Sequence, residues 1–148
     1  MSNKDALKLE NQLCFPLYAA SKEVIRRYNP LLKKLDLTYT QYLVMMVLWE
    51  EGTIGAKELG DKLFLDSGTL TPLIKKMQAK GYLEKTQSED DLRRITLTIT
   101  EKGRRLQDEA AGVPLAVADC VGLEEKDAAD LYRILYGILH SFKQNKEI

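Results

Sequence analysis

Apolar positions recur at helical spacing between residues 9 and 35, where Leu13, Leu17, Val24, Ile25, Tyr28, Leu31, Leu32 and Leu35 share one face. The pattern predicts a long amphipathic helix. Pro16 either marks its first turn or kinks it, and Pro30 either kinks it or separates two helices. Thr38-Tyr39-Thr40-Gln41 predicts a capping box, with Thr38 as N-cap and Gln41 reaching back from the third helical position. A buried helix follows through Met45, Met46, Leu48 and Trp49 and ends near Gly52. A short helix is expected over about 55–64, with Ala56, Leu59 and Leu63 inward. Asp66-Ser67 is a start signal for another helix, running to about residue 80 and ended by Gly81.

After Gly81 the period changes from that of a helix to that of a strand. Residues 82–88 can form one strand, and Ile95-Thr96-Leu97-Thr98-Ile99-Thr100 alternates as a half-buried strand does. The charged residues 89–94 between them are expected at a hairpin tip. From Glu101 onward the chain turns helical again, with breaks around Gly112-Val113-Pro114 and near Gly122-Leu123. The last apolar stripe is Leu131, Ile134, Leu135, Ile138, Leu139 and Phe142.

Helix, helix, short helix, helix and hairpin, followed by long helices, predict a mainly α fold with a small β-hairpin wing. This is a winged helix-turn-helix within a single unit of residues 1–148, the DNA-binding region covering about 31–103. Residues 5–30 and 104–148 are expected to supply N- and C-terminal dimerisation helices, because their apolar stripes have no obvious intrachain partner. A solitary three-layer core is the alternative.

Composition agrees with a soluble globular chain: 148 residues, 45% hydrophobic and 30% charged. The longest apolar run, residues 42–49, is too short to cross a bilayer, and no leader precedes a cleavage site, so a cytoplasmic protein without membrane contact is expected. Two cysteines, with no CxxC and no cluster with His140, argue against a zinc site or a thioredoxin-like motif. No cofactor and no metal are expected, and the glycines form no phosphate-binding pattern. His140, the one histidine, receives no role.

A net charge of zero is unhelpful for a nucleic-acid binder until its distribution is examined. Residues 66–105 carry nine basic and six acidic side chains, a net +3, whereas 1–65 carry +1 and 106–148 carry −4. The positive excess falls where a duplex would be held. On a helical wheel of 66–80, Leu70, Leu73, Ile74 and Met77 form an inward stripe, while Gly68, Thr71, Pro72 and Lys75 face outward. Small residues at the start of this helix allow close approach to base edges. Ser67 and Thr69 can bond bases or phosphates, Pro72 can touch a thymine methyl, and Lys75 and Lys76 can reach phosphates. Asp66, at the start signal of this helix, is counted with these residues as part of the expected DNA-binding surface. At the hairpin tip, Arg93 and Arg94 can enter a minor groove or bind phosphate, and Asp91 is expected to orient one of their guanidiniums. An ordinary amphipathic surface helix and a solvated turn are the competing readings. Double-stranded operator DNA is the expected partner.

Cys14 opens the first apolar helix, with Tyr18 one turn on. A thiol reacts as its thiolate, and a nearby phenol hydroxyl favours that form by hydrogen bonding to it. Tyr28 shares nearly the same face but lies about 21 Å away along the helix, so it reaches a thiol only from a partner helix packed antiparallel across a two-fold axis. A buried structural cysteine is the competing reading.

Leu13-Cys14-Phe15, Tyr18, Tyr28, Leu37-Thr38-Tyr39, Gln41-Tyr42, residues 65–72, Asp91, Arg93 and Thr100-Glu101-Lys102-Gly103 together resemble the MarR family of winged-helix regulators. The Cys14 segment with residues 65–72 resembles its OhrR-like, organic-hydroperoxide-sensing branch. The resemblance extends over about residues 7–114. It implies a homodimeric repressor of a peroxide-detoxification gene, released when an organic hydroperoxide oxidises Cys14. It also implies that Tyr28 and Tyr39 serve the thiol across the dimer. Family members with two functional cysteines carry the second in the region of 114–123, which makes Cys120 the candidate resolving thiol, from the other subunit. A small cellular thiol capping Cys14 is the alternative.

Two other functions compete with the thiol-switched repressor. One is a repressor released by a small aromatic ligand, with Cys14 structural. The other is a thiol peroxidase, which leaves the DNA-reading elements without purpose and lacks a recycling motif, so no enzyme is expected.

Overall fold

A computed structural model of the chain describes residues 2–145. Two short 3-10 turns, Asp5–Leu7 and Leu9–Asn11, precede α1 (Cys14–Lys33) and α2 (Tyr39–Glu51). Then come β1 (Thr53–Gly55), α3 (Ala56–Leu63), α4 (Ser67–Ala79), β2 (Leu83–Gln87), β3 (Ile95–Ile99) and α5 (Glu101–Ala110). The chain ends in α6 (Val113–Val121) and α7 (Glu125–Gln144). It divides into two compact units, one running to Pro114 and the other from Leu115 onward.

Local signals set most boundaries of the first unit. The Thr38 hydroxyl accepts from the Gln41 backbone N–H while the Gln41 side chain accepts from the Thr38 N–H, closing the expected capping box. Gly81 adopts φ 78° directly after α4, a conformation that favours glycine. Pro16 falls in the first turn of α1, where a missing N–H costs nothing. The helix runs unbroken through Pro30, so the alternative of two separate helices does not hold. The packing of Leu32 and Leu35 at this end of the helix outweighs one lost backbone bond.

The sheet has three strands, in the order β1-β3-β2, where the pattern predicted a two-stranded hairpin. Thr53 pairs with Thr98 and Gly55 with Thr96, while Leu83 to Gln87 pair with Ile99 to Ile95. Three residues are too few to display a period of two, so β1 left no sequence signal. Its central Ile54 is buried, and the Ile99 N–H donates to the Gly52 carbonyl at 2.9 Å. The wing is thereby sewn to the loop after α2. The core of this unit joins Leu32, Val44, Met45, Leu48, Leu59, Met77, Leu83 and Leu97 into one cluster.

In the second unit α7 buries none of its residues. Leu131, Tyr132, Ile134 and Phe142 stand 44–64% exposed. Among the described residues, no helix is long and apolar enough to cross a membrane.

Candidate DNA-binding and thiol sites

The reading helix α4 is presented by a tight corner. Phe64 adopts a left-handed φ of 55°, and the Leu65 N–H donates to the Gly60 carbonyl at 2.9 Å. A Cβ on Gly60 would lie 2.9 Å from the Leu65 carbonyl oxygen, so α3 meets the corner closely only because residue 60 is glycine. Asp66 accepts from the Thr69 N–H at 2.8 Å, capping α4. The wheel is realised: Leu70, Leu73, Ile74 and Met77 are buried, whereas Ser67, Gly68, Thr69, Thr71, Pro72, Lys75 and Lys76 are exposed. The Thr71 hydroxyl donates to the Ser67 carbonyl at 2.8 Å, which leaves its lone pairs outward.

In the wing, the Ser88 N–H donates to the Arg94 carbonyl at 3.0 Å and the Arg94 N–H to the Asp91 carbonyl at 2.9 Å. The Asp91 carboxylate accepts from the Arg93 backbone N–H at 3.0 Å. Asp91 therefore acts on the backbone of the tip, where the sequence pointed to a guanidinium; it is an Asx turn, favoured by the two-residue separation. Both arginine side chains are exposed, and neither forms an ion pair among the described residues. Arg93 and Lys85 line the same open cleft, of about 360 Å³, as Asp66, Ser67 and Thr71. Wing and reading-helix start thus border one surface.

Cys14 is the first residue of α1 and is exposed in the lone chain, which removes the reading of a buried core thiol for this chain alone. Its position puts it beside backbone N–H groups that have no partner in the helix. Its sequence neighbours are exposed apolar residues, Leu13 at 83% and Phe15 at 45%. Tyr18 stands one turn on with the Lys22 ammonium 4.9 Å from its ring centroid, a cation–π pair. Among the described residues, no side chain of the same chain hydrogen-bonds the Cys14 sulfur.

Tyr28 and Tyr39 do come together: their ring centroids lie 4.8 Å apart. Tyr42 joins them at 5.9 Å from Tyr28, and Trp49 lies 6.1 Å beyond Tyr42. Burial, followed by the neighbouring phenol of Tyr28, pushes the Tyr39 hydroxyl above its ordinary value, and burial does the same for Tyr42. Both therefore remain O–H donors at neutral pH. Tyr42 and Trp49 belong to the apolar run 42–49. Cys120, in α6, is exposed. The His140 ring lies 5.8 Å from that of Tyr136, tilted by 49°.

Residues 26–110 match the family described as transcriptional regulator SarA/Rot. The organic hydroperoxide resistance transcriptional regulator of Bacillus subtilis is 43% identical over 148 residues, covering 97% of this chain and 99% of its own. AbfR of Staphylococcus epidermidis, solved reduced and bound to DNA, superposes with a TM-score of 0.76 at 30% identity, covering 95% of this chain and 99% of its own. Its disulfide form superposes with a TM-score of 0.64 at 31% identity, covering 92% and 96%. These relatives are transcriptional regulators rather than enzymes. With the winged helix, the capped reading helix and the cysteine-led α1 all in place, the chain belongs to the MarR family of winged-helix transcriptional regulators, in the branch of the organic hydroperoxide resistance regulators.

Proposed function

We propose that the chain acts in the cytoplasm as a homodimeric repressor that holds operator DNA while Cys14 is reduced and lets go when an organic hydroperoxide oxidises it. The observation that carries this reading is the exposed Cys14 at the start of α1, flanked in sequence by exposed Leu13 and Phe15. Phe15, Leu17, Ile25 on α1 and Leu131, Ile134, Phe142 on α7 are all at least 37% exposed, far more apolar helix than a lone chain leaves to water. A second copy of the chain would cover these faces and bring the Tyr28–Tyr39 pair of one subunit to the thiol of the other. Ser67, Thr69, Thr71 and Pro72 would face bases, with Gly68 allowing the close approach. Lys75, Lys76, Arg93 and Arg94 would bind phosphates or a minor groove, and Asp91 would hold the wing in shape.

The chemistry balances without a cofactor. The Cys14 thiolate attacks the terminal oxygen of the hydroperoxide, the O–O bond breaks, a sulfenic acid forms, and the departing alkoxide takes up a proton equivalent to the one the thiol gave up, leaving as the alcohol. A second thiol then attacks the sulfenic sulfur, forming S–S and releasing water. Cys120 of the other subunit is the thiol we favour, with a small cellular thiol as the alternative. The solved disulfide form of AbfR supports a link of this kind. The deciding experiment is a titration of DNA binding against cumene hydroperoxide in wild type, C14S and C120S. C14S should stay on DNA at every peroxide level. A covalent dimer on non-reducing gels that vanishes in both variants supports Cys120, whereas full reversible release in C120S assigns the small thiol.

The cleft lined by Leu70, Ile74, Ile95, Lys85 and Arg93 favours a second reading, release by a small aromatic acid. A C14S protein that leaves DNA on adding salicylate, and a wild type indifferent to peroxide, would establish it instead.

A further inference from the structure

The end of the reading helix is tied to the beginning of α2 by one side chain. Lys80 follows the last residue of α4, and its ammonium has three N–H donors. They meet the Asp36 carbonyl at 2.7 Å, the Asp36 carboxylate at 3.3 Å and the Gln41 side-chain oxygen at 3.1 Å. All three partners belong to the corner after α1 and the first turn of α2. Gln41 is the one buried polar side chain among the described residues. The same Gln41 oxygen accepts from the Thr38 N–H at 3.1 Å, closing the cap of α2. Two residues before Gln41 stands Tyr39, packed on Tyr28.

We propose that Lys80 is a positioning residue that couples the thiol pocket to the reading helix, by clamping the first turn of α2 to the end of α4. This rests on the reading of Tyr39 as the residue that faces the thiol of the other subunit. A sulfur that gains oxygen or a disulfide partner alters what Tyr39 packs against, and the first turn of α2 moves with it. Apolar packing between this corner and Met77 or Tyr82 is non-directional and lets elements slide. Charge-assisted hydrogen bonds are directional and stronger than neutral ones, so a displaced Gln41 pulls Lys80 after it. The Lys80 carbonyl in turn accepts from the Lys102 ammonium at 2.7 Å, and the Tyr82 hydroxyl donates to the Leu35 carbonyl at 3.3 Å. The pull therefore reaches both α4 and the base of the wing.

The test compares wild type with K80M, which keeps the aliphatic stem and removes the ammonium. Affinity for a duplex selected from a randomised pool by the reduced wild type is measured before and after cumene hydroperoxide, with Cys14 oxidation matched by mass spectrometry. Wild type should lose about 10- to 100-fold on oxidation. Reduced K80M should bind within about 3-fold of wild type and lose less than about 3-fold on oxidation. A merely structural lysine would lower the melting temperature and the reduced-state affinity and leave the ratio between the two states untouched. K80M losing DNA by the wild-type factor overturns the proposal alone. A wild type that keeps DNA after Cys14 is oxidised overturns the peroxide-release reading, and this proposal with it. Should K80M fold poorly, hydrogen exchange in the wild type decides: oxidation should change protection at 38–41 and at 77–82 together, and a change confined to 38–41 overturns the clamp.

Discussion

Salt dependence measures the DNA-binding surface most directly. Lys75, Lys76, Arg93 and Arg94 stand exposed on the outer face of α4 and on the wing, so the proposed dimer would bring about eight cations to the phosphates. Each contact contributes a slope of about −0.9 in log affinity against log salt, which gives a total of about −7. Raising monovalent salt from about 50 to about 200 mM should then weaken binding by about 10⁴-fold. Arg93→Ala removes about two contacts per dimer and should flatten the slope to about −5. The tip keeps its shape in that variant, because Asp91 holds the backbone N–H of residue 93, not its side chain. Residues 89–94 hold three acidic side chains against two arginines, so the slope isolates the arginines in a way that a single affinity does not. Fluorescence anisotropy over a series of potassium chloride concentrations supplies the measurement. A wild-type slope shallower than about −3, or an Arg93→Ala slope equal to wild type, refutes the assignment of these side chains to phosphate.

Gly103→Ala should be costly even though alanine favours helices. Its Cβ would press into the Tyr82 carbonyl oxygen and sit 3.0 Å from Ile99 Cγ1 and 3.2 Å from Met45 Cε. Displacing the segment also strains the Trp49 indole N–H bond to the Gly103 carbonyl, now 2.9 Å. Overpacking and a weakened hydrogen bond, less the helix-propensity gain, come to about 2 kcal/mol. A urea midpoint equal to wild type would contradict that packing. Asp66→Ala should cost about 1 kcal/mol by uncapping α4 and should weaken DNA binding through a frayed first turn, while Asp66→Asn keeps most of both. Burial holds Tyr39 and Tyr42 above the ordinary 10.0, so the unfolded chain ionises first. Stability should be unaffected by these groups below that pH and fall as pH rises through it. A phenolate absorbance titration in which all seven tyrosines ionise as free tyrosine does would refute the burial argument.

Elements governed by neighbours three or four residues apart were legible in the sequence. The capping box of α2, the Asp66 cap, the inward stripe of α4 and the glycine stop at Gly81 are all local rules, and each is realised. What escaped depends on distant partners. β1 is a strand only because β3 lies beside it. Pro30 stays inside α1 because the packing of its neighbours outweighs the backbone bond that its ring removes. The thiol segment was recognisable from its residue types, but the joining of Tyr42 and Trp49 to the Tyr28–Tyr39 pair is tertiary. Lys80 and Gln41 lie 39 residues apart, and nothing in their local patterns couples them.

The edges of the small sheet decide how this chain can associate with copies of itself. One edge is β1, only three residues long, and the other is β2, whose exposed Glu84 and Lys85 place charge along the open backbone. Short and charged edges both discourage a foreign strand from adding on. A chain with this much bare apolar helix therefore has its stickiness confined to helical surfaces, whose association ends when two faces have met. Strand addition has no such stopping point, and the wing is built so that it does not begin.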